Sequence, residues 1–276
     1  MPALLISEEI LSQFADIVYK ASGIIFKDSN MAVLISRISS KIKEKNSQVE
    51  TYLSQLKTDK NELTSFIDFV TTNFTSFFRN QRHFELLEET VLPQLIKDRA
   101  SSRQIKIWSA GCSTGEETYT IAITVKEFFE RNNIDLTTWN IQIFGSDISL
   151  ESLFIAKEAR YPDRSVQKIP QNYIDKYFTP LEGGKFYIVN DVIKKMVKFD
   201  YHNLIYGSII TSVDVTFCRN VLIYFDEDIQ KKVLSQILLA TNDNGFLFIG
   251  HSESLVGLFE QFKPVSFEKG IIYVKQ

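Results

Sequence analysis

Two adjacent carboxylates, Glu116 and Glu117, follow a turn of small residues and could bind a cationic ligand. The turn contains Gly111 and Gly115, whereas the dinucleotide fingerprint needs three glycines to bring the backbone close to a pyrophosphate. Two acids at the start of a helix also disfavour a phosphate, because like charges repel. A ligand with an adenosine end and an ammonium end therefore fits this loop better than NAD or ATP. S-adenosylmethionine is such a ligand.

The elements around this turn predict a strand, a glycine loop, a helix and a second strand. Apolar residues at 105–108 predict a buried strand, and the pattern from Glu116 to Glu130 predicts a helix. Residues 139–144 predict the next strand, which Gly145-Ser146-Asp147 closes. Together they form a right-handed βαβ unit, which would place the turn at the carboxyl edge of a parallel sheet.

Asp147 ends the second strand of this unit, where a carboxylate can accept both hydroxyls of a ribose. It lies farther beyond Glu117 than the usual spacing of about 20 residues, but the long helix and the loop after it account for the difference. The alternative is that Asp147 only caps the helix predicted over Ser149 to Arg160.

The first seventy or so residues are predicted to be all-helical. Apolar residues recur at helical spacing in four stretches: Ser7–Lys20, Ser29–Lys45, Val49–Leu56 and Glu62–Thr71. One face of the second helix carries four basic residues: Arg37, Lys41, Lys43 and Lys45. This face is either a solvated surface or a dock for an acidic partner helix.

A polar and aromatic segment, residues 73–79, separates these helices from one predicted over His83 to Lys97. Its three phenylalanines would ordinarily be core, with Arg79 at the surface. The alternative is that the segment lines a binding site.

The remaining chain predicts an interruption of the sheet followed by its completion. Residues 161–200 carry a short helix, Gln171–Phe178, and a hairpin signal, and could contact a substrate or partner or be filler. The completing elements are a strand at Ser212–Cys218, a helix capped by Asp226, a turn at Asn242–Gly245, a strand at Phe246–Gly250 and a hairpin around Lys269-Gly270. A terminal antiparallel pair on a mostly parallel sheet is the usual architecture of class I methyltransferases.

Composition excludes several classes of function. The 276 residues are 44% apolar and 24% charged, as is ordinary for a globular protein. A net charge of -3 gives no footprint for nucleic acid, and no run of apolar residues is long enough for a membrane span or a secretion signal. Cys112 and Cys218 lack metal or redox spacing. We expect reduced thiols, no metal, no membrane insertion and a cytoplasmic location.

The assembled motifs resemble the chemotaxis-receptor methyltransferases of the CheR type. Five segments carry the resemblance, in the order in which that family has them: Asn73-Phe74-Thr75-Ser76-Phe77-Phe78-Arg79, Ser113-Thr114-Gly115-Glu116-Glu117, Gly145-Ser146-Asp147, Phe217-Cys218-Arg219-Asn220-Val221-Leu222-Ile223-Tyr224-Phe225-Asp226 and Gly250-His251-Ser252-Glu253. The helical N-terminus also resembles the small first domain of that family, so the resemblance covers nearly the whole chain.

The resemblance implies a class I S-adenosylmethionine-dependent methyltransferase fold preceded by a helical domain. The predicted domains are 1–72, helical; 73–104, a linker and connecting helix; and 105–276, the methyltransferase, with an inserted helix and hairpin at about 161–200.

Matching the motifs also implies roles for individual residues. Three residues of the interdomain segment would line the cofactor site: Asn73, Thr75 and Arg79. Glu117 would hold the methionyl ammonium and Asp147 the ribose, while Glu116 keeps only the role of a charge at the helix start. Asn203 and Leu204 would lie beside the adenine, and Arg219, Asn220 and Tyr224 beside the reacting end. Arg219 and Asn220 would also bind the cofactor, and the candidate catalytic residues are Arg79, Arg219 and Tyr224.

The implied reaction is methyl transfer from S-adenosylmethionine to glutamate side chains of receptors, which leaves S-adenosylhomocysteine and a methyl ester. A glutamate has a reference pKa of about 4.3 and is already ionised at neutral pH, so no general base is needed. In-line attack requires positioning and partial desolvation. Arg79 or Arg219 could orient the carboxylate through a bidentate pair, and Tyr224 could close the pocket or donate a hydrogen bond to the carboxylate.

The implied partner is the cytoplasmic domain of methyl-accepting chemotaxis receptors, and the predicted state is a monomer. Ser40 and Lys41 stand where the family often has consecutive arginines, which weakens receptor docking on that helix. Two alternatives remain open: a non-catalytic sensor that binds S-adenosylmethionine, and a class I methyltransferase with another acceptor.

Overall fold

The computed structural model describes residues 6–71, 73–207 and 210–276, without the side chains of Asp28 and Ser29. The chain divides into two compact units. The first consists of Met1–Thr72 and Ile223–Gln230, and the second of Asn73–Leu222 and Lys231–Gln276. Thr72, the last residue of the predicted helical domain, lies outside the described residues. None of the helices in the described ranges is long and apolar enough to cross a membrane.

The first unit is helical, as its apolar periodicity predicts. Ser7 caps the first helix by accepting the Ile10 N–H at 3.3 Å, and Gly23 ends it with a φ of 75°. The helices are α1 (Glu8–Ser22), α2 (Asp28–Lys45), α3 (Val49–Thr58) and α4 (Lys60–Val70). Three aromatic rings pack in the core of this unit, with centroids 5.7 to 6.3 Å apart: Phe14, Tyr52 and Phe66.

The basic face of α2 is largely occupied by contacts within the first unit. The cations of Arg37 and Lys41 each lie 4.9 Å from the centroid of the Phe69 ring. Lys45 forms an ion pair with Glu62, which also accepts a hydrogen bond from a buried tyrosine. This part of α2 therefore contributes to the packing of its own unit.

The second unit contains two sheets and the helices around them. Its helices are α5 (Gln81–Leu86), α6 (Leu92–Asp98), α7 (Glu116–Arg131), α8 (Leu150–Glu158), α9 (Asp163–Val166), α10 (Gln171–Tyr177) and α11 (Asp191–Lys194); α12 (Glu227–Ala240) begins in the first unit. The strands are β1 (Gln104–Ala110), β2 (Asn140–Asp147), β3 (Arg160–Pro162), β4 (Phe178–Leu181), β5 (Phe186–Val189), β6 (Val197–Tyr201), β7 (Val213–Cys218), β8 (Thr241–Ile249), β9 (Phe262–Phe267) and β10 (Gly270–Lys275).

Within the described residues, seven strands form the main sheet in the order β6-β2-β1-β7-β8-β10-β9. The first five run parallel, and β10 pairs antiparallel with both β8 and β9. Every residue of β7 is buried, as expected for a central strand of a parallel sheet covered on both faces. The mostly parallel sheet with a terminal antiparallel pair confirms the predicted fold class, and it brings the carboxyl ends of five strands to one edge.

The insertion forms a separate three-stranded antiparallel sheet in the order β3-β5-β4. This small sheet begins at Arg160 and ends at Val189, whereas β6 pairs with β2 as an edge strand of the main sheet. The inserted hairpin is thus present, and the last strand within the predicted range 161–200 belongs to the methyltransferase core.

Two predicted elements differ from the structure. The single helix predicted over His83 to Lys97 is interrupted by a π-helical turn at Leu87–Val91. This turn ends two residues before Pro93, whose nitrogen cannot donate to the preceding turn. The turn predicted at Asn242–Gly245 lies inside β8. Thr241 already pairs with Val213, and the register shifts before Phe246 pairs with Val215, so those residues form an irregularity in the strand.

Candidate active site

The glycine turn after β1 is held against the end of β2 by backbone hydrogen bonds. The N–H groups of Gly111 and Cys112 both donate to the Ser146 carbonyl, at 2.8 and 2.9 Å. Gly111 has a φ of 79°, and a Cβ there would lie 2.5 Å from the Val221 side chain. Gly115 has a φ of 94°, and a Cβ there would lie 2.8 Å from the Cβ of Ala156. Both glycines are therefore required by the turn itself.

Asp147 is buried at the end of β2 and ties the turn to the start of α8. Its Oδ2 accepts the Ser113 N–H at 2.7 Å, and its Oδ1 accepts the Ser149 N–H at 2.9 Å. The cap of α8 is Ser149, whose Oγ accepts the Ser152 N–H at 3.0 Å, so capping is not the main role of Asp147. A carboxylate offers about four acceptor positions, which leaves capacity for a hydroxyl donor.

Glu117 forms a buried ion pair with Arg219, which lies far along the chain at the end of β7. The Nη1 of Arg219 donates to Glu117 Oε2 at 2.9 Å, and the side chains are 2% and 12% exposed. The other oxygen of Glu117 accepts a hydrogen bond from the Ser109 hydroxyl at 2.7 Å. The acid that sequence analysis assigned to a ligand ammonium is thus already oriented by two protein donors.

The guanidinium of Arg219 also connects the ion pair to the segment before α5. Its Nη2 donates to the Arg79 carbonyl, and its carbon lies 5.4 Å from the centroid of the Phe84 ring. Among the described residues, its buried Nε has no hydrogen-bond partner. Of the two arginines expected to orient an acceptor, Arg219 is therefore committed to the protein interior.

Glu116 lies in the first turn of α7, where the sequence places it, but its side chain does not face solvent. It is buried, and its Oε2 accepts a hydrogen bond from the Thr114 hydroxyl at 2.6 Å. Burial raises the pKa of its carboxyl. The first turn of α7 enters the protein interior, which sequence position alone does not indicate.

The aromatic segment 73–79 crosses the glycine turn. The Asn73 carbonyl accepts the Ser113 hydroxyl at 3.1 Å, and its Nδ2 lies 3.3 Å from the Ser149 hydroxyl. Thr75 is partly buried. The structure therefore places Asn73 next to the turn, whereas the role of Thr75 stays a prediction.

The phenylalanines of this segment have different environments. Phe77 is core, with ring centroids 4.9 Å from Tyr161 and 5.3 Å from Phe178. Phe74 is 74% exposed, and the Arg79 guanidinium lies 5.4 Å from its ring centroid and donates to its carbonyl at 2.9 Å. The core interpretation thus holds for Phe77, whereas Phe74 and Arg79 form a partly exposed pair.

Asn203 and Leu204 follow β6 and lie beside the end of β2. The preceding residue, His202, donates its N–H to the Asp147 carbonyl at 2.9 Å. Both Asn203 and Leu204 are buried, and Asn203 Oδ1 accepts the Ile205 N–H at 3.3 Å. The neighbouring cavity of about 360 Å³ is lined by residues of β1, β2 and β6 together with Ile210, and none of the predicted ligand residues contributes to it.

Asn220 and Tyr224, which share one sequence motif, belong to different units. Asn220 lies in the second unit and has a left-handed backbone, with a φ of 59°. Tyr224 belongs to the first unit, where its carbonyl accepts the Ile25 N–H at 2.9 Å. The second unit therefore gathers the predicted site residues other than Tyr224.

Sequence reasoning assigned no role to two residues that contact the candidate site. Ser109 donates to Glu117, and Glu253 accepts the Asn220 N–H at 3.0 Å. Glu253 ends the Gly250-His251-Ser252-Glu253 motif, so its sequence signal was present without an assigned partner. Ser109 is the penultimate residue of β1, and its position near the strand end was the available signal.

The two cysteines are not candidate nucleophiles. Cys112 and Cys218 are free and fully buried. Burial raises the pKa of both thiols well above the ordinary value, with nearby carboxylates as further causes. Because a thiolate is the reactive form, the site does not support chemistry through cysteine.

His83 of α5 makes stability depend on pH. It is buried, and its Nδ1 lacks a partner among the described residues. Burial, then Arg219 and His251, lower the pKa of His83 to about 3 from 6.5. The unfolded chain binds this proton below about pH 6.5 and the folded chain does not. The free energy of unfolding should therefore be maximal above pH 6.5 and fall by up to about 1.4 kcal/mol per pH unit towards pH 3.

The variant His83→Gln removes this titration and should show a shallower slope in denaturant unfolding between pH 6 and 4. At pH 8 the wild-type histidine is neutral in both the folded and the unfolded state. The difference in unfolding free energy between variant and wild type at pH 8 therefore measures the packing cost of the substitution, and it is subtracted from the differences at lower pH. An unchanged slope in the variant would mean that His83 does not control acid stability.

Comparison with known families adds to this geometry. Residues 73–271 match the family model described as CheR methyltransferase, SAM binding domain, and residues 9–71 match the model of the CheR methyltransferase all-alpha domain. The chain is 37% identical over 218 residues to the chemotaxis protein methyltransferase of Borreliella burgdorferi, covering 77% of this chain and 76% of that protein. It is 35% identical to chemotaxis protein methyltransferase 1 of Pseudomonas aeruginosa, covering 75% of each.

Among solved structures, the magnesium protoporphyrin IX methyltransferase of Synechocystis, determined with bound S-adenosylmethionine, is 14% identical. The match covers 82% of this chain and 94% of that chain, with a TM-score of 0.36.

Proposed function

The chain belongs to the CheR methyltransferase family, and from this premise we propose that it transfers methyl groups from S-adenosylmethionine to glutamate side chains of chemotaxis receptors, as an enzyme of sensory adaptation in the cytoplasm. The observation that carries the proposal is the match of both CheR domain models along the chain. The products are a glutamyl methyl ester and S-adenosylhomocysteine.

The polar groups at the sheet edge fit S-adenosylmethionine. This cofactor supplies a methyl group already activated by a sulfonium. The buried carboxylate of Asp147 suits the ribose hydroxyls, and Glu117 suits the methionyl ammonium. Asn203 and Leu204, next to the end of β2, suit the adenine. The pairing with Arg219 orients the carboxylate of Glu117, so that a ligand cation would join an existing network of hydrogen bonds.

The receptor carboxylate needs orientation rather than activation, because it is already ionised at neutral pH. Arg79 supports this role better than Arg219, since its guanidinium is partly exposed at the Phe74 ring. If Arg79 bound the receptor carboxylate too strongly, transfer would be slower, because the attacking oxygen loses negative charge as its bond to the methyl group forms. We assign Asn220 to the reacting end on its motif, whereas Tyr224 keeps only the role that the same motif predicts.

The test is transfer of radiolabelled methyl from S-adenosylmethionine to a purified receptor cytoplasmic fragment. A glutamyl ester releases its label as methanol in mild alkali, whereas an N-methyl group does not. Alkali-labile counts on the receptor support the proposal. Cofactor binding without transfer would indicate a sensor module, and transfer to a small molecule but not to receptor would indicate another acceptor.

Arg79→Ala is expected to lower the rate of transfer more than the affinity for S-adenosylmethionine. Loss of one bidentate contact to the acceptor should reduce kcat/KM by about tenfold to a hundredfold. Calorimetry measures cofactor affinity and the label assay measures transfer. Arg82→Ala, an exposed neighbour on α5, is the matched control and should leave both unchanged. Equal losses of affinity and transfer would assign Arg79 to the cofactor alone.

A further inference from the structure

One carboxylate oxygen joins the ends of β7 and β8. The Oε2 of Glu253 accepts the Asn220 N–H at 3.0 Å and also accepts the N–H of Gly250. Asn220 lies in the turn after β7, and Gly250 directly follows β8. Glu253 therefore fixes two adjacent strand ends at the edge where the candidate site lies.

The packing around this oxygen leaves little room for another arrangement. A Cβ at Gly250 would lie 2.6 Å from Glu253 Oε2, 2.8 Å from Asn220 Nδ2 and 2.9 Å from the Asn220 nitrogen. Asn220 also has the left-handed backbone that asparagine tolerates better than most residues. The glycine and the asparagine are thus required for Glu253 to reach the turn.

The turn that Glu253 fixes also carries Arg219. That side chain holds Glu117 on one side and the Arg79 carbonyl on the other. A displacement of Asn220 would move the adjoining Arg219, and with it the two groups proposed to face the cofactor and the acceptor. A charge-assisted hydrogen bond from backbone to carboxylate is well suited to prevent such movement.

We propose that Glu253 is a positioning residue for methyl transfer, which holds the Arg219–Asn220 turn at the acceptor side of the site through hydrogen bonds to the N–H groups of Asn220 and Gly250. It acts through the backbone and does not touch the reacting atoms. The kinetic part of the inference rests on the proposed function.

The experiment compares Glu253→Ala with Glu253→Gln. A single oxygen accepts both N–H groups, and the amide oxygen of glutamine can occupy the same position, so the glutamine variant should retain transfer within about tenfold of wild type. The alanine variant removes the acceptor and should lower kcat by about tenfold to a hundredfold. Its affinity for S-adenosylmethionine should fall by a smaller factor than kcat, because Glu117 is joined to Arg219, whereas Asp147 is held at the end of β2 by the N–H groups of Ser113 and Ser149.

The control is Glu260→Ala. Glu260 also accepts a backbone N–H, that of Gly257 at 3.3 Å, but its side chain is 71% exposed and it has no link to Asn220 in the described structure. This variant should match wild type in both measurements. A merely structural contribution of Glu253 would lower the stability of Glu253→Ala but leave its kcat at the wild-type value under conditions in which the variant is folded.

The rate of hydrogen exchange at the Asn220 amide tests whether Glu253 holds the turn, and the measurement requires no methyl acceptor. The amide should be protected in wild type and in Glu253→Gln, and should exchange faster in Glu253→Ala. Unchanged protection in the alanine variant, or unchanged kcat with an active wild type, would overturn the inference. If wild type itself transfers no methyl group to receptor, the proposed function fails, and the exchange result alone still decides whether Glu253 fixes the turn.

Discussion

Asp147→Ala is expected to abolish measurable binding of S-adenosylmethionine while the protein remains folded. A buried carboxylate that accepts ribose hydroxyls contributes about 1.5 to 3 kcal/mol for each hydrogen bond, so the loss of both weakens affinity at least about a hundredfold. The substitution also frees the N–H groups of Ser113 and Ser149, which adds disorder in the glycine turn. Isothermal calorimetry measures the affinity, and circular dichroism checks the fold.

The control for this prediction is Asp200→Ala. Asp200 is an exposed acid on β6, opposite Ser146 in the strand register, and should leave the affinity unchanged. Asp147→Asn keeps one acceptor oxygen without the charge and should lie between alanine and wild type. Wild-type affinity in Asp147→Ala would remove Asp147 from the cofactor site.

The second large effect is expected from the buried pair of Glu117 and Arg219. Arg219→Met leaves the carboxylate buried without its cation and should lower the free energy of unfolding by about 3 to 5 kcal/mol. Glu117→Gln should also destabilise the protein, because it leaves the buried guanidinium unpaired. The double variant removes both charges and should recover part of the loss, since neither uncompensated charge remains.

Function should not recover with stability in the double variant. Glu117 is the proposed partner of the ligand ammonium, so affinity for S-adenosylmethionine should stay low whenever Glu117 is replaced. The four proteins to compare are wild type, the two single variants and the double variant. Denaturant unfolding measures their stability, and calorimetry measures their affinity for S-adenosylmethionine. The exposed pair of Lys263 and Glu260 is the control cycle, with an expected coupling of at most about 1 kcal/mol. Additive losses in the buried cycle would contradict the pairing.

Local patterns predicted most of the fold because helix periodicity and strand runs act over short stretches. The four helices of the first unit and the terminal hairpin around Lys269-Gly270 are where their patterns placed them. The predicted secondary structure was wrong where a local sequence signal is compatible with two different structures. Pro93 converted part of a helix into a π-helical turn, and the apparent turn before Phe246 became an irregularity within β8.

The motifs identified the family because five of them occur in its order between residues 73 and 253, and the glycine turn, the two acids and Asp147 of one βαβ unit indicated the cofactor. Only the tertiary structure decided which groups these acids meet. Glu117 pairs with a guanidinium 102 residues away, and Glu253 reaches back 33 residues to Asn220. Glu116 is buried although its neighbours in sequence resemble a surface helix start. Such partners depend on strand order in the folded sheet, which brings distant segments to one edge and leaves no periodic signal in the chain.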